Sequence, residues 1–123
     1  THYTLEYLHA VSGTGIVPSS TVRIAIGDEV VQESAWGDGP VDATYAAIRK
    51  ATSADVLLED FTIRAVTSGS QALGEVTVHL SQDGRSARGR GVSTDVVEAS
   101  AEAYISALNR LFELMGRDAQ PTV

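Results

Sequence analysis

The sequence predicts an α+β fold of two βββα repeats, a mostly antiparallel sheet with two helices packed on it. Three observations carry that expectation. Strand-like runs separated by short turns come in two groups of three. Each group is followed by a segment whose apolar residues recur at helical spacing. A Gly-x-Gly pair stands ahead of each helical segment, at Gly37/Gly39 and again at Gly89/Gly91, 52 residues on. Two such units can share one core with both helices on the same face of sheet.

In the first unit, Leu5, Tyr7, His9 and Val11 alternate with more polar neighbours and read as a strand. Ser12-Gly13-Thr14-Gly15 breaks it, and Pro18-Ser19-Ser20 reads as a continuation of the loop. Val22, Ile24 and Ile26 alternate with Thr21, Arg23 and Ala25 as a half-buried strand. Gly27-Asp28 is a two-residue hairpin signal, after which Glu29 to Trp36 returns. Pro40 suits the first helical turn, where its missing N–H costs nothing. Asp38 or Asp42 places negative charge at that end, and Val41, Tyr45 and Ile48 mark a helix from about 40 to 52.

The second unit runs in the same order. Leu57 to Val66 is a strand with Phe61, Ile63 and Ala65 on one face, turned by Ser68-Gly69-Ser70. Gly74 to Leu80 follows with Val76, Val78 and Leu80 on one side, and Gln82-Asp83-Gly84 is a hairpin tip. Arg85 to Arg90 is the most weakly patterned strand. Ser93-Thr94-Asp95 is placed to cap a long helix, most simply through a hydroxyl. Val97, Ala101, Tyr104, Leu108, Leu111 and Met115 form its apolar stripe, Gly116 is expected to close it, and a frayed tail is expected from Asp118. Ala99, Ala103 and Ala107 form a small-residue stripe suited to close packing within the chain or across a two-fold dimer. The whole chain is expected to be a single domain, with repeats over about 20–53 and 56–116.

Composition narrows the function. At 123 residues, 43% hydrophobic and 20% charged, the chain is an ordinary globular domain rather than a disordered one. A formal net charge of −7 argues against nucleic acid and anionic membrane surfaces as partners. With no cysteine, disulfides and thiolate metal sites are excluded, and a cytoplasmic location is expected. The first residues carry no signal-peptide pattern, and the lack of an initiator Met suggests a piece of something longer. His2, His9 and His79 show no metal-ligand spacing, and there is no G-x-S-x-G elbow. No catalytic set emerges, so a stand-alone enzyme is the weakest reading. Gly37-Asp38-Gly39-Pro40 and Gly89-Arg90-Gly91 lack the dinucleotide and Walker patterns. As strand-to-helix turns, however, they would point two helix N-termini outward, and such N–H groups can hold a carboxylate.

Four ordered blocks give the pattern a family likeness. Gly-Asp-Gly-Pro-Val-Asp-Ala (37–43), Leu-Glu-Asp-Phe (58–61), Ala-Val-Thr-Ser-Gly-Ser-Gln-Ala (65–72) and Gly-Arg-Gly-Val-Ser-Thr-Asp-Val-Val-Glu-Ala-Ser (89–100) resemble the C-terminal regulatory domain of 2-isopropylmalate synthase. Ala103-Tyr104-Ile105 and Ala107 to Leu111 extend the likeness, which runs from about Val22 to Leu111. The resemblance implies a domain that binds L-leucine for feedback inhibition of leucine biosynthesis and pairs with its copy in a homodimer. It also implies an N-terminal catalytic barrel in the same polypeptide, condensing acetyl-CoA with 2-oxoisovalerate with the aid of a divalent metal. That barrel needs roughly 250 residues and is absent from this chain, so no cofactor is expected in the domain itself.

Matching the blocks implies an effector site walled by Val41, Leu58, Phe61, Ala65 and Ala72, with Val92 or Val96 added from the second loop. Gly37, Asp38, Gly39 and Asp95 stand at the helix starts, where the acids, with Asp42, would meet the effector's ammonium or cap the helices. Phe61 stands where this family often has Tyr, which makes the expected pocket more purely apolar. Two other readings remain open at this level: the isoleucine-sensing domain of citramalate synthase, and a purely structural dimerisation module.

Overall fold

The computed structural model describes residues 2–119, with side chains through Gly116. Its elements run β1 (Tyr3–Gly13), β2 (Ile16–Ile26), β3 (Glu29–Trp36), α1 (Pro40–Thr52), β4 (Leu57–Ser68), β5 (Gln71–Gln82), β6 (Arg85–Ser93) and α2 (Val96–Ala119). The strands form two separate antiparallel sheets, ordered β1-β2-β3 and β4-β5-β6. The expected βββα order is present twice. α1 packs on β2 and β3, α2 packs on β5 and β6, and the helices touch each other while α2 also reaches β1.

The hairpins follow their turn residues. Asp83 and Gly84 both take positive φ (51° and 79°), the left-handed pair that a two-residue β-turn requires. Between the helices and sheets lies one continuous core. Val22 and Ile24 of β2, Ile48 of α1, Val76, Val78 and Leu80 of β5, and Leu108 and Leu111 of α2 are all fully buried in it. Thr44 is buried too. Its hydroxyl lies 2.7 Å from Pro40 O and 3.0 Å from Ser20 Oγ, joining the first turn of α1 to β2. On the other side, Asn109 of α2 pairs with the backbone of Tyr3, accepting from its N–H at 2.7 Å and donating to its carbonyl at 2.8 Å. That side chain acts as a substitute neighbouring strand for the edge of β1.

Several expectations are corrected. Pro18-Ser19-Ser20 is not loop: β2 begins at Ile16, and Ser19 and Ser20 pair with Trp36 and Ala35. The chain tolerates Pro18 there because the register with β1 shifts between Val11 and Gly13. Gly116 does not close α2, which continues to Ala119; the rest of the expected tail lies outside the described residues. The Gly-x-Gly pairs are not equivalent either. The helices begin 56 residues apart, at Pro40 and Val96. Gly89 and Gly91 lie inside β6, not in a strand-to-helix turn, so they offer no outward N–H groups at a helix start.

What Gly89 and Gly91 do instead is admit α2. A Cβ at Gly89 would lie 2.1 Å from Ala103 O and 2.3 Å from Ala107 N, and one at Gly91 would lie 2.1 Å from Ala99 O. The Ala99/Ala103/Ala107 stripe therefore serves packing within the chain. Backbone meets backbone because both surfaces lack bulk.

Candidate functional site

The two flanks of β5 differ. Facing rows place Gly91, Val76 and Ile63 in one line, and Gly89, Val78 and Phe61 in the next. Paired residues project from the same side of a sheet, so all six look toward the helices. Val76 and Val78 are fully buried there, yet Phe61 is 38% exposed and Ile63 49%. α2 covers β5 and β6, whereas no helix lies across β4. The aromatic tie from β4 to the helices is Phe61, whose ring meets Tyr45 of α1 edge-on at 5.6 Å; Tyr45 in turn stacks on Tyr104 of α2 at 5.2 Å.

Four predicted wall residues share this face. Phe61 and Ala65 lie two rows apart on β4, Ala72 lies opposite Thr67, and Leu58, half-buried against the core, lies opposite Leu80. Ala65 and Ala72 are both exposed. Gly74, opposite Ala65, is the close-approach point: a Cβ there would fall 2.9 Å from a methyl of Val96. Val96, the first residue of α2, thus sits over the sheet beside Ala65. Val92 is not brought with it. It pairs with Glu75 on the opposite face of the sheet, where Arg64 and Arg90 both reach the Glu75 carboxylate, at 2.9 and 2.7 Å. Those two guanidiniums, Arg90 first, hold Glu75 below the usual carboxylate range against the opposing effect of desolvation.

The two helix starts also differ. α1 has Gly39 as its N-cap in extended conformation, and no side chain caps it. Pro40 has no N–H, so the donors there are those of Val41 and Asp42. Gly37 holds the approach: its N–H donates to Pro18 O at 3.1 Å, and a Cβ would lie 2.8 Å from Ala43 N. Asp38 is exposed beside it, and Val41 is half-buried on the core. At α2, by contrast, Asp95 Oδ1 accepts from Val97 N at 2.9 Å and Glu98 N at 3.4 Å, while Ser93 Oγ accepts from Asp95 N at 3.1 Å. A carboxylate, not the expected hydroxyl, is the cap, and Asp95 is committed to that work. Of the two helix starts, that of α1 is the one left without a side-chain acceptor.

Two open grooves lie elsewhere. A groove of about 690 Å³ runs between the start of β1 and the C-terminal half of α2, lined by Tyr3, Leu5, Ile105, Asn109 and Phe112. Another of about 420 Å³ lies between β1 and the helix starts, lined by Pro40, Asp95, Glu98 and Glu102. Burial, then the neighbouring Glu98, raises the Glu102 carboxyl above its ordinary value. Of the predicted site residues, Asp95 lines the second groove and none lines the first. Among the described residues, no group of three or more His, Cys, Asp or Glu side chains is placed to hold a metal. No helix among them is long and apolar enough to cross a membrane.

Block-matching missed Tyr45, Ile63 and Gly74. Gly74 carried a signal, since a glycine inside an alternating strand marks a close backbone approach; the other two looked like ordinary core residues.

A duplicated βββα unit with one open helix start and an uncovered apolar strand matches a known family model over residues 1–112, the LeuA allosteric (dimerisation) domain. The chain belongs to this family. It is 49% identical over 109 residues to a 2-isopropylmalate synthase of Heliobacterium modesticaldum, covering 89% of this chain and 21% of that protein. It is 50% identical over 118 residues to that of Dictyoglomus turgidum (95% and 24%) and 48% identical over 116 residues to that of Nitrosomonas europaea (94% and 23%). The chain thus spans under a quarter of the length of these curated relatives. As an allosteric and dimerisation domain by family, it is expected to need a surface for a second copy and a site for an effector, and β4 is its least covered apolar strand.

Proposed function

We propose that this chain is the L-leucine-sensing regulatory domain of a 2-isopropylmalate synthase, not catalytic by itself, and that it pairs with a second copy. The observation that carries this reading is the uncovered helix-side face of β4, where Phe61, Ile63 and Ala65 stay open beside fully buried neighbours. In this account leucine's side chain lies against Ala65, Ala72 and Val96, whose small or short side chains leave space. Burying such a side chain contributes roughly 1.5–3 kcal/mol. The α1 start supplies N–H donors for the carboxylate, and Asp38 or Asp42 is near enough in sequence to meet the ammonium. The second copy covers the remainder of β4, since an open edge with large apolar residues is otherwise an invitation to aggregate.

In this reading the chain is part of a cytoplasmic polypeptide whose N-terminal barrel condenses acetyl-CoA with 2-oxoisovalerate, and relatives four to five times longer leave room for that barrel. Leucine inhibits by binding one arrangement of the dimer better than another, and that differential affinity sets the size of the inhibition. The relatives' shared name favours leucine over isoleucine, although an apolar pocket separates such isomers by only ~1–3 kcal/mol.

Calorimetric titration of this chain with leucine, isoleucine and valine tests the reading. Saturable binding that prefers leucine, with a matching rise in Tm, is the expected result. Preference for isoleucine would move the domain to the citramalate branch. Absence of binding would leave a dimerisation module.

A further inference from the structure

We infer that the hydroxyl of Tyr45 is a polar contact of the effector site, donating a hydrogen bond to the carboxylate of the bound amino acid. This rests on the leucine-binding reading above and adds a residue that the block likeness does not assign. Tyr45 is 3% exposed, and its Oη is buried without a hydrogen-bond partner. Buried hydroxyls are nearly always partnered, so an orphan in the middle of a core calls for an explanation. Ser100 lies within reach and acts on the phenol, but the two hydroxyls do not meet in hydrogen-bond geometry, and that of Ser100 donates to Val96 O at 2.7 Å.

The position of the phenol is what links it to the effector. Side chains on a helix lean toward its N-terminus, so Tyr45 reaches back over the first turn of α1. That is the turn left without a side-chain cap, with Asp42 acting on the phenol from within it. The Tyr45 ring touches Phe61 of β4. Ser100, which also acts on it, is bonded to Val96, and Val96 lies over Gly74 opposite Ala65. The orphan hydroxyl thus belongs to a side chain that meets the predicted wall residue Phe61 on β4 and is acted on from both helices, by Asp42 in the first turn of α1 and by Ser100 near the start of α2.

Its chemistry suits a donor. Burial chiefly, with Asp42 and Tyr104 adding and Ser100 opposing, pushes the phenol up to about 12, so it keeps its proton at neutral pH. A carboxylate seated at the start of α1 would accept from the backbone N–H groups and from this O–H together. Charge-assisted bonds of that kind are the stronger class.

Tyr45→Phe tests the assignment, with leucine titrated calorimetrically into wild type and variant and with each melted without effector. The expected result is leucine binding weakened about tenfold or more, with the effector-free Tm unchanged or raised because the hydroxyl had no protein partner. Wild type that binds leucine and a variant that binds it equally well would overturn the inference while leaving the leucine reading intact. An effector-free Tm that falls while leucine affinity holds would overturn it too, by revealing a bond within the protein. Wild type that binds no leucine would overturn both.

Discussion

β4 and β6 flank the same central strand, yet their compositions run opposite to their burial. β6 reads Arg-Ser-Ala-Arg-Gly-Arg-Gly-Val-Ser, with scarcely an apolar side chain, and its Ala87, Gly89 and Gly91 are buried under α2. β4 carries Leu57, Phe61 and Ile63, and all three are exposed. Burial on β6 is achieved by absence of side chain, which lets the alanine stripe of α2 settle on the backbone. Exposure on β4 leaves apolar surface that the protomer does not use. A strand can be central to a core without being hydrophobic, and a hydrophobic strand can be kept for a partner or a ligand.

Substitutions on the two strands should therefore separate sharply. Gly89→Val, a gain in hydrophobicity, should prevent folding of the second unit, because the obstructing atoms are the α2 backbone. The loss should exceed the ~1–3 kcal/mol of ordinary overpacking, read as missing helical signal in far-UV circular dichroism. On β4, Ala65→Phe adds still more bulk but should leave the fold within about 0.5 kcal/mol of wild type. Leucine binding, measured by calorimetry, should be abolished, and unchanged binding would remove Ala65 from the site.

Truncations sharpen the same contrast. Leu80→Ala, in the buried row of β5, should cost ~2–5 kcal/mol in denaturant unfolding. Ile63→Ala should cost the protomer under ~1 kcal/mol, with its larger effect on self-association in sedimentation equilibrium. Asp95→Ala should cost about 1 kcal/mol through the lost cap of α2; a loss of leucine affinity without that destabilisation would return Asp95 to the effector site. The smallest effect lies on the outer face. Glu75 is held below its ordinary 4.5 by Arg90 and Arg64, so its contribution is present above that pH and fades as pH falls through the lowered value. Arg90→Ala should flatten the acid limb of a Tm-against-pH curve slightly.

Much of the fold was legible because its signals are local. Alternation located β2 and β5, Gly27-Asp28 and Asp83-Gly84 located two turns, and Pro40 located the start of α1. The corrected positions share a cause: glycine and proline read locally as punctuation. Pro18 sits inside β2, where the register with β1 shifts, Gly89 and Gly91 inside β6, where the α2 backbone closes on them, and Gly116 inside α2. For the site, block-matching named Phe61, Ala65 and Ala72 together, and the β4–β5 pairing puts all three on one face. It offered Val92 or Val96, which lie on opposite faces of the sheet, and it passed over Tyr45, whose orphan hydroxyl exists only once three elements have packed around it.

In the proposed function β4 is where effector and second copy act. Amide hydrogen exchange across the chain, with and without saturating leucine, tests it most directly. Leucine is expected to slow exchange along Leu57–Ser68 and in the first turn of α1, while β6, already closed beneath α2, changes little. Protection confined to the groove between β1 and α2, with β4 exchanging as before, would contradict it.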